Sequence, residues 1–241
     1  ECFTGCPTRA KKSTDVVFIP DAIRNGARVY ANMRAEKLII EGNRVAGIHA
    51  RAADNWTKRT GHSLEVRAKC TILAAGVVGT PTLLQKNDNA ANSSGWVGKN
   101  LVFHPGAAIM GIFDEEVNPW DGATQGYSSI EYLEQGFKLE SLWAPPAVLA
   151  VRFPDFGYDF KSHIAKYKHM APWVAVISGQ SQGQVRARKR GWDPLLKYNQ
   201  SQEDANRIRE GLSKVAVARA RAGPQRLGRW PAGYRGPASK V

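Results

Sequence analysis

Five histidines (His49, His62, His104, His163 and His169) and three cysteines (Cys2, Cys6 and Cys70) are the side chains of this 241-residue chain best suited to ligate a metal or carry a proton. Their spacing does not support either role. There is no His-x3-His pair and no His-Glu-x2-His run. Cys2 and Cys6 stand as Cys-x3-Cys with no histidine close in sequence, which is wider than the usual zinc pair. No metal site is expected, and three cysteines make a poor disulfide framework for a chain of this size. The stronger chemical signal is geometric. Residues 70–75 form a short, continuous apolar run of the kind found in a strand buried on both faces. Gly76 ends the run, and residues 77–86 read as a helix with Thr80 as N-cap and Pro81 at the first helical position. Strand, small-residue turn and helix start together bring backbone close to a phosphate or a ring edge. Many such turns are only tight connections, so these residues alone leave both readings open.

The surrounding elements must hold that turn in place. Residues 15–25 read as a short helix interrupted by Pro20. Strands are expected at 27–31, 35–40, 45–50 and 64–68, with Glu41-Gly42-Asn43 turning the chain. Beyond residue 87 the pattern predicts strands at 107–113 and 174–178, a polar-basic helix at 158–169, and a hairpin from 184–188 to 195–198. A helix at 202–212 is capped by Ser201. The fold class is α/β (α+β): a β-meander with a buried parallel strand, followed by a mixed sheet-and-helix domain.

Composition excludes some classes. At 43% hydrophobic and 23% charged the chain matches an ordinary globular protein. No run approaches the roughly 20 apolar residues of a membrane helix. The first residues have neither the basic region nor the apolar stretch of a signal peptide, and the chain starts without Met. A net charge of +13 invites a nucleic-acid reading. The excess, however, sits in Arg186, Arg188, Lys189 and Arg190, and in a segment from 211 onward that carries seven Lys and Arg and no acid. A solvated hairpin and a solvated tail account for it, so nucleic acid is an unlikely partner. The Arg-, Gly- and Pro-rich text after residue 218 reads as a disordered basic tail or the product of a frame change.

Three stretches taken together resemble the glucose-methanol-choline (GMC) family of flavin oxidoreductases. Gly5-Cys6-Pro7-Thr8-Arg9-Ala10-Lys11-Lys12-Ser13-Thr14, followed by Ile19-Pro20-Asp21-Ala22, is similar to the family's Gly-Cys-Pro-x-x-Ala-Lys-x-Ser-Thr and Leu-Pro-Asp-Ala. Residues 26–38 with Val45-Ala46-Gly47-Ile48 resemble the strand pair that closes around the adenine. Residues 71–84 resemble Val-Leu-Ala-Ala-Gly-Ala-Ile-Gly-Ser-Pro-x-Leu-Leu, the most specific of the three. Gly98-Lys99-Asn100-Leu101 with His104-Pro105-Gly106 extends the likeness.

The resemblance implies FAD as cofactor and oxidation of an alcohol CH–OH group to an aldehyde or ketone, with hydride passing to flavin N5. It implies a partial FAD-binding domain at 1–100 and a substrate-binding domain at 101–200. Residues 201–218 would begin a helix returning to the FAD domain, and 219–241 would be the disordered basic tail. Ala35 falls where the family's backbone contacts the adenine, and Ala74, Ala75 and Gly76 fall on the strand end against the FAD. No catalytic residue carries over, because His104 matches a structural His-Pro rather than the family's terminal catalytic pair. The likeness implies an internal fragment, without the N-terminal Gly-x-Gly-x-x-Gly motif and the C-terminal catalytic His region. Phe113, Trp120, Tyr127, Tyr132, Trp143, Phe153, Phe156, Tyr158 and Trp173 are candidates to line a pocket for a small-molecule alcohol, with an apolar one such as a sterol or long-chain alcohol among the candidates. The electron acceptor is not specified. The other readings are an inactive remnant and a basic nucleic-acid-binding protein.

Overall fold

Apolar alternation and turn chemistry produce three antiparallel sheets and five helices in the structure, a computed structural model that describes residues 6, 10–53, 60–120, 125–151, 153, 156–221 and 226–228. In chain order the elements begin with α1 (Thr14–Arg24), β1 (Met33–Glu41), β2 (Arg44–Ala53), β3 (Thr60–Arg67), α2 (Gly76–Lys86), β4 (Lys99–Leu101) and β5 (Gly106–Ile112). They continue with β6 (Ser128–Ser129), β7 (Phe137–Ser141), α3 (Pro146–Ala150), α4 (Gly157–Ala165), a 3-10 turn at Tyr167–His169 and β8 (Met170–Ile177). Last come β9 (Gly183–Arg186), β10 (Leu195–Lys197), α5 (Gln202–Arg221) and β11 (Arg226–Gly228).

The chain divides into two compact units, one of Ser13–Val102 with Ser181–Asn199, the other of Glu1–Lys12, Phe103–Gln180 and Gln200–Val241. In the first, β1, β2 and β3 form a meander in that order. Gly42, at φ +60°, makes the tight β1–β2 turn that a Cβ would strain. Two register shifts interrupt the β1–β2 ladder, at Ala35/Lys37 and Ile39/Ile40. A second sheet runs β10-β9-β4. Helix α2 is fastened to both sheets by amides. The Gln85 side chain donates to the Val185 carbonyl (2.9 Å) and accepts from the Ala187 N–H (2.7 Å). The Asn87 side chain accepts from the Leu38 N–H (2.9 Å) and donates to the Glu36 and Leu83 carbonyls (3.1 and 2.8 Å). Leu83, Leu101 and Val185 supply the buried apolar contacts.

In the second unit the sheet order is β11-β5-β8-β7-β6, every pair antiparallel. Alternation along β8 sends Ala175 and Ile177 to one face, where Phe137, Leu139 and Val215 join them under α5. Gly211 permits that approach, since a Cβ there would lie 2.6 Å from the Ala175 Cβ. The opposite face carries Met110 and Met170, packed with Ala144, Leu149 and Tyr167. Helix α5 opens on the expected cap, the Asp204 N–H donating to Ser201 Oγ (3.1 Å). The Asp204 carboxylate is fully buried and accepts from the Gln180 N–H at 2.9 and 3.2 Å.

Several expectations need correction. Residues 70–75 are not a buried parallel strand: they pair with no strand among the described residues, Cys70 is exposed and Ile72 is 84% exposed. Their apolar character signals burial, but a parallel strand needs a neighbour to pair with, and no described segment supplies one. Residues 27–30 are irregular, because Gly26 and the turn at Ala31–Asn32 leave no partner strand in register. Thr80 does not cap α2, which starts four residues earlier; its hydroxyl instead accepts from the Ala75 N–H (3.1 Å), and Pro81 lies inside the helix. Helix α5 lies within the second unit. Ile208, Leu212 and Val215 put its apolar stripe on the β8–β7 sheet. Residues 181–199 belong with the first unit, because β9 pairs with β4. Of the expected tail, the described backbone continues α5 to Arg221 and pairs β11 with β5; the rest lies outside the described residues.

Candidate functional site

The turn at 74–76 is built from small residues and is open. Ala74, Ala75 and Gly76 are all exposed, and Gly76 has φ +76° with nothing within 4 Å of where a Cβ would stand. The turn also begins α2, so its backbone meets any approaching ligand at the positive end of the helix. Close by in sequence, the Thr71 hydroxyl is buried without a hydrogen-bond partner. Ala35 lies elsewhere in the same unit. It is half-buried in β1, opposite Ala50, where the first register shift begins. The Asn87 bonds bring the C-terminal end of α2 against β1 at Glu36 and Leu38. At 1.5 Å per residue, α2 separates Gly76 from that contact by on the order of 15 Å. The structure therefore joins Ala74, Ala75 and Gly76 in one place and sets Ala35 towards the other end of the helix, a separation suited to an elongated ligand.

The aromatic residues expected to line one pocket do not converge. Tyr132 and Trp173 pack with the α5-side cluster, and Tyr132 stacks on Phe137 at 5.1 Å. Phe153 belongs to the cluster on the other face, and Trp120 stacks on Tyr167 at 5.3 Å. Tyr127, Phe156 and Tyr158 are exposed. Spacing in sequence could not separate them, because adjacent strand positions point to opposite faces.

The second unit instead offers a part of its sheet that the described residues cover incompletely. On the face away from α5, the pairs Gly106–Val176 and Ala108–Val174 form a small-residue floor that continues into the buried Met110–Pro172 pair. Lys138 and Glu140 border it across β7 and pair with each other at 2.6 Å. His104 is exposed just before β5, and the Ile177 N–H donates to the Pro105 carbonyl (2.9 Å), holding that loop at the end of the floor. Burial pushes the Tyr167 hydroxyl above the usual tyrosine range while it donates to the Ala144 carbonyl (2.7 Å). Among the described residues no three His, Cys, Asp or Glu side chains converge as a metal site would require. No described helix is long and apolar enough to cross a membrane.

Sequence reading missed Asn87, which ties α2 to β1, although an Asn directly after a helix's last basic residue is a C-terminal signal. It also missed the open sheet face, since nothing in a strand pattern shows which buried-looking face is left uncovered.

The GMC oxidoreductase family model matches residues 1–106. A GMC-type oxidoreductase from Mycobacterium tuberculosis is 28% identical over 216 residues, covering 89% of this chain and 33% of the relative. A long-chain-alcohol oxidase from Arabidopsis thaliana is 28% identical over 245 residues, covering 94% of this chain and 31% of the relative. The chain thus spans about a third of the length of these curated relatives. Among solved structures, pyridoxine 4-oxidase from Mesorbium loti matches with TM-score 0.55 at 16% identity, over 77% of this chain and 38% of that one, a likeness of fold.

Proposed function

We propose that this chain, whose residues 1–106 match the GMC oxidoreductase family model, supplies part of the cofactor cradle and the substrate floor of an FAD-dependent enzyme that oxidises an alcohol to a carbonyl compound. Bound FAD would supply the hydride acceptor. The residues fit such a group. Gly76 is left-handed with open space at its missing Cβ, and Ala74 and Ala75 add only methyl groups, so backbone can meet a flat ring without a side chain intervening. Ala35 takes the adenine end in this reading, towards the far end of α2. The Gly106–Ala108–Val174–Val176 floor presents methyl and methylene surface to the substrate and suits an apolar alcohol. The long-chain-alcohol oxidase relative is the reason to prefer a long aliphatic one. The ion pair of Lys138 with Glu140 neutralises the polar border. No residue of this chain is assigned the hydroxyl proton, so the isolated chain is expected to turn nothing over. It acts as an oxidoreductase only together with a group able to take that proton.

The observation that carries the reading is the open Gly76 turn standing on the most specific family motif. The test is Gly76→Val in the enzyme, with bound flavin measured per folded protein and folding followed by circular dichroism. The expected result is a sharp loss of flavin with the sheets retained. Full flavin occupancy in a folded variant would overturn the assignment of Ala74, Ala75 and Gly76. Anaerobic bleaching of the flavin by a long-chain primary alcohol, and not by glucose or choline, would support the substrate class.

A further inference from the structure

A second cleft, of about 510 Å³, lies within the unit of residues 13–102 and 181–199, at the opposite end of α2 from Gly76. Its wall includes Lys37 of β1, Lys86 at the end of α2, and Arg188, Lys189 and Trp192 of the β9–β10 connection. Its lining has a single carboxylate, Glu36, already engaged by Arg34 (2.8 Å) and Arg51 (3.4 Å). Arg34 and Lys86 are steadied by the Trp192 ring, each 5.0 Å from its centroid, and Lys86 Nζ also donates to the Arg188 carbonyl (3.0 Å). Gln85 consumes the Ala187 N–H and the Val185 carbonyl. Glu36 and Gln85 are therefore committed inside the fold, and the Asn89 side chain, neutral, is the other amide of the lining. Lys37, Arg188 and Lys189 have no ion pair among the described residues. A ligand entering here meets cations from three separate elements and no uncommitted carboxylate in the lining.

We propose that this cleft binds a multiply charged phosphate group, carried by a soluble di- or triphosphate or by a phosphorylated lipid headgroup. One free carboxylate would not occupy a recess of this size or reach cations on three elements. A pyrophosphate or a bisphosphate has oxygens in several directions and accepts from each. The like charges of Lys37, Lys86, Arg188 and Lys189 on one recess raise the local concentration of an anion at its mouth. The arrangement also gives a use to the basic hairpin, which the alcohol chemistry leaves without a role.

The test is calorimetric titration of the full chain with pyrophosphate and with ATP, and sedimentation with phosphatidylcholine vesicles with and without phosphatidylinositol bisphosphate. Saturable binding is expected. Lys37→Gln with Lys189→Gln, both exposed and outside the folded contacts, should weaken it by about tenfold or more, since two charge-assisted contacts are lost. Removing the same charge from α4 and its C-cap by Lys161→Gln with Lys166→Gln should change affinity by less than about twofold, apart from screening that any salt reproduces. Binding of the free phosphates identifies a soluble ligand, and variant-sensitive binding confined to the bisphosphate vesicles identifies a headgroup. Either supports the site. Three results would overturn it: no saturable binding of any probe, equal weakening by the α4 variant, or preference for a single-stranded oligonucleotide that the cleft variant does not weaken. Loss of bound flavin from the Lys37/Lys189 variant of the enzyme would also overturn it, because the cleft would then belong to the cofactor site. That outcome leaves the Gly76 reading intact.

Discussion

The unit of residues 103–180 and 200–241 and the unit of residues 13–102 and 181–199 solve the problem of burying a sheet differently. The first packs apolar clusters on both faces of one five-stranded sheet and leaves the Gly106–Val176 end of one face partly open. Phe137, Ala175 and Ile177 lie under α5, and Met110 and Met170 lie against Leu149 and Tyr167. Among the described residues the second buries only Ala46, Ala50, Leu83, Leu101 and Val185 as apolar core, while Val16, Val17, Phe18, Ile19 and Ile23 of α1 and Ile72 stand exposed. It relies more on amide fasteners such as Gln85 and Asn87. On the proposed reading, a layer that presents backbone to a large ligand keeps small residues and open turns, and its own packing is thinner for it.

The largest expected effect sharpens that contrast. Phe137→Ala empties a site that is 1% exposed and should cost about 3–5 kcal/mol in denaturant unfolding. Ile72→Asn, an apolar residue of similar standing in the text of the sequence, should change stability by less than about 0.5 kcal/mol in the same measurement. Equal losses would break the comparison, because residues 70–75 would then be packed as tightly as the other unit's core. Next, Asp204→Ala removes a fully buried carboxylate and leaves the Gln180 N–H without its acceptor, and should cost about 2–3 kcal/mol in the same measurement. Asn87→Ala removes three half-buried hydrogen bonds and should cost about 1–2 kcal/mol. Faster hydrogen exchange in that variant should be confined to the α2–β1 region, and spread into β5 and β8 would count against separate units.

The smallest effect is a pH dependence. Burial raises the Tyr167 hydroxyl above its unfolded value, so the folded state keeps a proton that the unfolded state releases first. The stability this contributes is whole below the ordinary tyrosine value near pH ~10 and is lost as pH rises through the folded value. Tyr167→Phe should lower neutral-pH stability by about 1 kcal/mol and flatten the alkaline limb. An alkaline limb unchanged from the parent chain would mean that another group titrates there.

Local patterns made much of this legible. Strands β1, β2 and β3, the β9–β10 hairpin and the start of α5 follow from alternation, turn glycines and the Ser201 cap, all of which act within a few residues. Residues 70–75 misled, because an apolar run reports how buried a segment is meant to be and not which strand pairs with it. The 74–76 turn could be found from its small residues. The open floor at Gly106, Ala108, Val174 and Val176 was hidden, because it depends on β5 meeting β8 more than fifty residues away. The cleft at Lys37 and Trp192 depends on a still longer return.

That return has a consequence for how the chain is made. Strand β9 is flanked by β4 on one side and β10 on the other, and β4 leaves the ribosome some eighty residues before β9 does. The β1–β2–β3 meander can close during synthesis from neighbouring text. The β4–β9–β10 sheet must wait until the whole of residues 103–180 has been translated, and loop closure of that length is slow. During that interval Leu101 and Leu83 have no Val185 beside them, and a nascent chain presents an apolar edge to chaperones or to other copies. Slowing translation across residues 103–180 should therefore raise aggregation of this protein more than the same delay placed after residue 199.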